Sequence, residues 1–266
     1  MRSFEQRLAE ADLTLFSPVG TLTTADDRRS LLALQACVRE AGPYGYLEIG
    51  SHRGGSLQPF LADDRCVVVH SVERREPAPQ RRSDPAKGSP LYAGVTTGGM
   101  LAELREAHGP LVDKVVCHDR AAGPVVAADL RPRPRLCLID GDHTDEAARE
   151  DFALCLEAIG GDGVVAFHDA NLVYLAIDGI VRELESQGAE FEACFLPSTL
   201  LVLSFGSLRP LGCAAVRELV SANYRGYIYS LVCNDGHRRF AQRPVFRLLR
   251  ALRSRLTWRR GPGPVS

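Results

Sequence analysis

Short apolar segments alternate with helical patterns through most of this 266-residue chain. Residues 66–72 (CVVVHSV) are apolar almost without interruption, which is typical of a strand covered on both faces of a sheet. Similar segments occupy 44–49, 114–117, 135–139 and 164–167. Strands that alternate with helices indicate a doubly wound, mostly parallel α/β sheet, in which ligands bind beyond the carboxyl ends of the strands.

Helical patterns fill the connections between these strands. Residues 26–40 begin with acids and carry apolar side chains at helical spacing. Further helices are predicted at 97–107, 145–158 and 172–187. The segments 191–196 and 200–205 flank a Pro-Ser-Thr turn and predict an antiparallel hairpin that closes a seven-stranded sheet.

The length and composition fit one large soluble domain with appendages. We expect an N-terminal helical extension (1–41), a ligand-binding core (42–206) and a C-terminal helical region (207–266). No apolar run is long enough to cross a bilayer and the first residues lack a secretion signal, so we expect a cytoplasmic protein. Eight scattered cysteines without a CxxC pair predict reduced thiols.

A glycine-rich turn, Glu48-Ile49-Gly50-Ser51-His52-Arg53-Gly54-Gly55, follows the first predicted strand. Glycines let a backbone approach a ligand closely, although such turns are also ordinary connections between a strand and a helix. Glu73 ends the second strand, where an acid can accept hydrogen bonds from ribose hydroxyls. Asp119 follows the third strand and is placed to meet an adenine amino group. As a set, these residues favour an adenosine-containing cofactor.

The acid at the start of the turn distinguishes between two such cofactors. The turn begins Glu-x-Gly rather than the Gly-x-Gly that brings a pyrophosphate against a helix. Glu48 would repel a pyrophosphate, but it could face the cationic sulfonium or ammonium group of S-adenosylmethionine. The sequence therefore favours S-adenosylmethionine, and an NAD-dependent oxidoreductase on a similar fold is the alternative.

Two acidic signatures that contain histidine follow the next two strands. Asp140-Gly141-Asp142-His143 comes after 135–139, and His168-Asp169 comes after 164–167. Because both strands end at the same edge of the sheet, their carboxylates and imidazoles should converge. Such a cluster can hold a metal ion or activate a substrate hydroxyl.

Structural roles are an alternative for several of these residues. Asp142, Thr144 and Asp145 precede a predicted helix, where such side chains are natural caps. His168 can equally be a buried, hydrogen-bonded residue with no part in catalysis.

Taken together, Glu48-Ile49-Gly50-Ser51, Glu73, Asp119 and the two acidic signatures resemble a class I S-adenosylmethionine-dependent methyltransferase. Within that class they are similar to the metal-dependent macrolide-sugar and catechol-type O-methyltransferases, over residues 40–206. The resemblance implies methyl transfer to a hydroxyl of a sugar or related small molecule. It implies that the cofactor is bound by Glu48, Gly50, Ser51, Gly54, Glu73, Asp119 and Asp140.

The resemblance also implies a metal ion and a base. The metal would be held by Asp140, His168 and Asp169, with Mg²⁺ as the first choice and Mn²⁺ or Fe²⁺ as alternatives. His143 would be the catalytic base, because a histidine can take a proton near neutral pH. His168 departs from the family pattern, since an acid is typical at this position, and a metal-independent methyltransferase therefore stays open.

The C-terminal region is strongly basic. From Arg238 onward there are nine arginines and no acid, and residues 238–260 include an amphipathic helical pattern. This segment could contact a membrane surface, or it could dock on the acidic body or on a second subunit. We expect a homo-oligomer and no nucleic-acid partner, because the body offers no basic groove. A non-catalytic interaction protein that uses this tail is a further alternative.

Overall fold

The computed structural model describes residues 2–74, 95–120 and 123–222. The predicted loop after Glu73 and the basic segment 238–260 lie outside these residues, apart from Arg74. The described part forms one compact unit in which the N-terminal extension packs with the core.

A seven-stranded sheet with strand order β3-β2-β1-β4-β5-β7-β6 forms the centre of the protein. Strands β1 to β5 are parallel to one another, whereas β7 is antiparallel to both β5 and β6. The predicted doubly wound sheet with a terminal antiparallel pair is therefore confirmed. The strands are β1 (Tyr44–Ile49), β2 (Cys66–Glu73), β3 (Val115–Asp119), β4 (Pro134–Ile139), β5 (Gly163–Phe167), β6 (Phe191–Leu196) and β7 (Leu200–Phe205).

Seven α-helices accompany the sheet in the described residues. The predicted helices at 26–40, 97–107, 145–158 and 172–187 correspond to α2, α4, α5 and α6. The helices are α1 (Phe4–Ala9), α2 (Ala25–Glu40), α3 (Gln58–Ala62), α4 (Thr97–His108), α5 (Asp145–Ile159), α6 (Tyr174–Ser186) and α7 (Ala214–Ala222). None of the described helices is long and apolar enough to span a membrane.

Each face of the sheet is covered by its own apolar cluster. Alternate residues of one strand point to opposite faces, so Leu136 and Leu138 join one cluster while Cys137 and Ile139 join the other. Helices α2, α3 and α4 cover the first face, and α5 and α6 cover the second. Burial on both faces explains why the central strands are continuously apolar in sequence.

Candidate active site

The parallel strands end in register, so their following loops meet at one edge of the sheet. Ile49 at the end of β1 pairs with Val72 of β2 and with Ile139 of β4. Ile139 in turn pairs with Phe167 of β5. The predicted residues after these strands are therefore neighbours across the same edge, which is where a doubly wound sheet binds ligands.

Gly50 is required by the close approach of two of these loops. Its φ angle is +96°, and a Cβ atom at this position would lie 2.0 Å from the carbonyl oxygen of Asp140. The Gly50 N–H donates to the Val72 carbonyl at 2.9 Å, and the Asp140 N–H donates to the Ile49 carbonyl at 2.8 Å. A side chain at Gly50 would displace the backbone that carries Asp140.

Glu48 lies beneath the glycine turn and is almost fully buried. Its two carboxylate oxygens accept hydrogen bonds from the hydroxyl groups of Ser56 and Tyr46. Burial raises the pKa of Glu48 to about 7, against the opposing effect of these two hydrogen bonds, and the nearby charges of Asp140 and Glu73 raise it further. The carboxyl group thus anchors the turn from below, and its predicted contact with the cofactor stays a prediction.

Glu73 shapes the other side of the turn. Its carboxylate accepts hydrogen bonds from the backbone N–H groups of His52 at 2.9 Å and of Arg74 at 3.0 Å. His52 adopts a φ of +44°, a strained conformation that this hydrogen bond helps to hold. Asp119 pairs with Glu73 across β2 and β3, so the two predicted cofactor acids are adjacent at the sheet edge.

Ser51 and Gly54 complete the predicted cofactor turn. The Ser51 hydroxyl lies 2.5 Å from the hydroxyl of Ser71, and both side chains are buried. Gly54 has a φ of +78°, and a Cβ atom there would press against Leu104 and Met100 of α4. These contacts fix the turn against the core and leave its backbone at the edge of the sheet.

His168 lies between two carboxylates at the end of β5. Its Nδ1 atom is 3.0 Å from Asp140 Oδ1, and its Nε2 atom is 3.3 Å from Asp27 Oδ2. Asp169 Oδ2 is 3.7 Å from the same Nδ1 atom. Neither ring nitrogen makes a well-directed hydrogen bond, so these are close ion-pair contacts.

The carboxylates determine the charge of this imidazole. Burial alone would lower the pKa of His168, but Asp140 and Asp27 outweigh it and raise the pKa to about 11. Burial likewise opposes ionisation of Asp27, yet the contact with His168 and hydrogen bonds from Thr24 lower its pKa to about 2. With these pKa values, His168 is an imidazolium at neutral pH and is paired with the ionised Asp27.

His143 and Asp169 form a second pair, nearer to solvent. The Nε2 atom of His143 is 3.5 Å from Asp169 Oδ2, and both side chains are more than one third exposed. The Thr199 hydroxyl donates to Asp169 Oδ1 at 3.0 Å and holds the carboxylate from the far side. Asp169 has a φ of +48°, an uncommon conformation for a non-glycine residue that is often associated with function.

The residues after Asp140 also include helix caps. Thr144 is the N-cap of α5, and its side chain accepts a hydrogen bond from the Ala147 N–H at 3.2 Å. Asp145 accepts from the Ala176 N–H at 2.9 Å and so ties α5 to the start of α6. The structural alternative is therefore correct for Thr144, and Asp145 anchors a helix.

The described residues do not support the predicted metal centre of Asp140, His168 and Asp169. Within the described residues, no group of three or more His, Cys, Asp or Glu side chains is arranged to hold an ion. Both nitrogens of His168 face carboxylates, and an imidazolium has no lone pair to offer a metal. Asp140 and Asp169 come together as predicted, but with an imidazolium beside them.

A family model described as a methyltransferase domain matches residues 47–170. Over these residues the chain is similar to a methyltransferase domain. The matched region begins in β1 and ends just after Asp169, so it includes the glycine turn and both acidic signatures. No curated protein matches the chain in sequence.

Several solved structures are similar to this chain, and one of them, with a TM-score above 0.5, supports the fold described above. The O-methyltransferase NovP is 13% identical, with a TM-score of 0.52, over 71% of this chain and 83% of that one. The O-methyltransferase TomG from Streptomyces achromogenes, solved with SAM, is 16% identical over 77% of this chain and 91% of that one, with a TM-score of 0.44. The O-methyltransferase from Bacillus cereus, solved with SAH, is 11% identical over the same shares, with a TM-score of 0.43.

Two residues of the site lie outside the matched methyltransferase domain and are not evident from the sequence. Asp27 belongs to the first turn of α2, where Thr24 and Asp27 form a capping box. That local pattern is visible in the sequence, but its contact with His168 is not. Thr199, in the β6–β7 turn, reaches Asp169 only because β7 pairs with β5.

Proposed function

We propose that the chain is an S-adenosylmethionine-dependent O-methyltransferase that acts on a hydroxyl of a sugar or related small molecule. The observation that carries the proposal is the pairing of His143 with Asp169 at the same sheet edge as the glycine turn. The pairing supports the proposal because a base at this edge would stand beside the expected methyl donor.

The cofactor part of the proposal depends on the edge formed by β1, β2 and β3. Glu73 and Asp119 lie side by side there. In these positions Glu73 would accept hydrogen bonds from the ribose hydroxyls, and Asp119 would accept one from the adenine amino group. Glu48 lies buried beneath the turn, where its ionised form would repel a pyrophosphate and attract a cationic donor. An NAD-dependent oxidoreductase is the less favoured candidate for this reason.

His143 would act as the base in the transfer step. In the tautomer with its proton on Nε2, the nitrogen that faces Asp169, the imidazole would accept the hydroxyl proton on Nδ1. The hydroxyl oxygen then attacks the methyl carbon, the bond from carbon to sulfur breaks, and S-adenosylhomocysteine leaves as a neutral thioether. The proton remains on His143 until it passes to solvent, to which this side chain is open.

Asp169 would position the base rather than react itself. The hydroxyl of Thr199 and the imidazole of His143 approach different oxygens of its carboxylate. A carboxylate held in this way fixes the imidazole ring and stabilises the imidazolium that forms during the transfer. The role of Asp169 in this scheme requires no metal ion.

The start of α6 indicates what kind of acceptor to test. Leu172, Tyr174 and Leu175 follow shortly after Asp169, and each is more than half exposed. Exposed apolar side chains beside a site favour ligands with an apolar surface of their own. We therefore expect the reactive hydroxyl to be carried by a molecule that also has an aromatic or alkyl part.

The experiment measures transfer of a labelled methyl group from S-adenosylmethionine to a panel of glycosides, phenols and catechols. For an accepted substrate, His143→Ala should lower kcat by about 10²- to 10⁴-fold, the usual contribution of a general base. Binding of S-adenosylhomocysteine should be unchanged. Glu146→Gln is the matched control, because Glu146 is an exposed residue of the adjacent first turn of α5.

Two results would contradict the proposal. Full activity of His143→Ala would show that His143 is not the base. Methylation confined to nitrogen or carbon acceptors would show that the enzyme is not an O-methyltransferase. Calorimetric binding of NAD without binding of S-adenosylhomocysteine would favour the oxidoreductase instead.

A further inference from the structure

We propose that the imidazole of His168 takes the position of a cation among Asp27, Asp140 and Asp169, so that this site takes no divalent metal ion. Carboxylate oxygens of all three aspartates lie within 3.7 Å of a ring nitrogen of His168. This inference depends on the proposed function at one point only, the assumption that the acceptor hydroxyl binds near these residues.

The placement of the ring is the first argument. Nδ1 faces Asp140 and Nε2 faces Asp27, so that each side of the ring is matched with an anion. Neither nitrogen therefore faces an open position for an ion, and the described residues include no group of three or more His, Cys, Asp or Glu side chains that could hold one. Both nitrogens are buried, so that an incoming ion would have to displace existing ion pairs.

Asp27 is the second argument, because it is a buried acid that needs a positive partner. Its side chain is only 4% exposed, and Thr24 fixes one of its oxygens through the backbone N–H and the hydroxyl. An acid in place of His168 would bring two carboxylates together in the interior, which is strongly unfavourable. Asp27 and His168 are thus a matched pair.

Charge balance gives the imidazole a role in the reaction. An alkoxide that develops near Asp140 and Asp169 would be repelled by their negative charges. A cation fixed between the two carboxylates reduces this repulsion. A bound metal ion would stabilise the alkoxide through the same electrostatic effect. His168 does so without touching the acceptor, since its ring nitrogens are buried.

The test is a Mn²⁺ titration of the full chain after removal of metals with EDTA, with free Mn²⁺ followed by electron paramagnetic resonance. For the unaltered chain, with or without S-adenosylhomocysteine, we expect no saturable site below about 1 mM, the weak end of protein sites for hard cations. His168→Gln should bind Mn²⁺ at least as well, because it removes the cation. His168→Glu combined with Asp27→Asn should gain one site, at least about ten-fold tighter than any binding by the unaltered chain.

One stoichiometric, saturable Mn²⁺ on the unaltered chain would overturn the proposal, and its loss in His168→Gln would in addition identify His168 as a ligand. The unaltered chain decides this point even if a variant fails to fold. Ion binding is measured without methyl transfer, so failure of the proposed O-methylation is a separate result.

Discussion

Asp27 offers a quantitative test, because its carboxylate connects helix α2 to His168 in the site. We expect Asp27→Asn to lower the free energy of unfolding at pH 7 by about 3 kcal/mol. Removing one partner of a buried ion pair costs about 3–5 kcal/mol. The lower end of this range applies because His168 would still have a second carboxylate partner, Asp140, at 3.0 Å. The amide oxygen of asparagine can still accept from the Thr24 N–H, so that most of the α2 cap survives.

The neighbouring acid supplies the control. Asp26 pairs with Arg29 at 2.9 Å, but the Asp26 side chain is 57% exposed. An exposed ion pair contributes at most about 1 kcal/mol, so Asp26→Asn should change stability by less than about 0.5 kcal/mol. The two variants have the same chemistry in adjacent positions and differ in burial and in the partner.

Urea denaturation followed by circular dichroism measures both variants, with linear extrapolation and a check that the m-values agree. A loss below about 1 kcal/mol for Asp27→Asn, indistinguishable from Asp26→Asn, would refute the assignment of a buried Asp27–His168 ion pair. A large loss for Asp27→Asn that persists in a His168→Gln background would also contradict it, since the pair would then be uncoupled.

Three further predictions concern other residues of the site. The pKa of His168 is raised from 6.5 to about 11, so its stabilisation is complete below pH 6.5 and declines as the pH rises; the stability advantage of the unaltered chain over His168→Gln should shrink between pH 6.5 and 9 in urea titrations, and a constant gap would argue against the charged ring. The pKa of Glu48 is raised from 4.5 to about 7, so the stability of the folded chain falls as the pH rises between these two values and is level above them; Glu48→Gln should therefore gain stability relative to the unaltered chain from pH 5 to pH 8, and a relative loss over that range would count against the buried acid. Gly50→Ala should weaken S-adenosylhomocysteine binding by at least about ten-fold in calorimetry, because a Cβ atom would collide with the Asp140 carbonyl. Unchanged affinity would show that the glycine turn is not part of the cofactor site.

The sheet could be predicted from the sequence because its signal is local. The central strands are apolar on both faces, and β6 and β7 begin and end where the pattern places them, at Phe191–Leu196 and Leu200–Phe205. Parallel strands that end in register then require the predicted site residues to share one edge. The convergence of Asp140, His143 and Asp169 follows from topology alone.

The state of His168 could not be predicted, because it depends on a residue 141 positions earlier in the chain. Asp27 appears in the sequence as a helix-capping acid, and nothing in that pattern reveals that its other neighbour is an imidazole. Burial and two carboxylates then decide the charge of the ring. For the same reason the ion-pair cluster around His168 is visible only in the structure.

Calorimetric titration of the purified chain with S-adenosylhomocysteine, and separately with NAD, tests the central claim most directly. The account predicts one S-adenosylhomocysteine bound per chain, marked weakening in Glu73→Ala, and no binding of NAD. Binding of NAD in the absence of any binding of S-adenosylhomocysteine would contradict it.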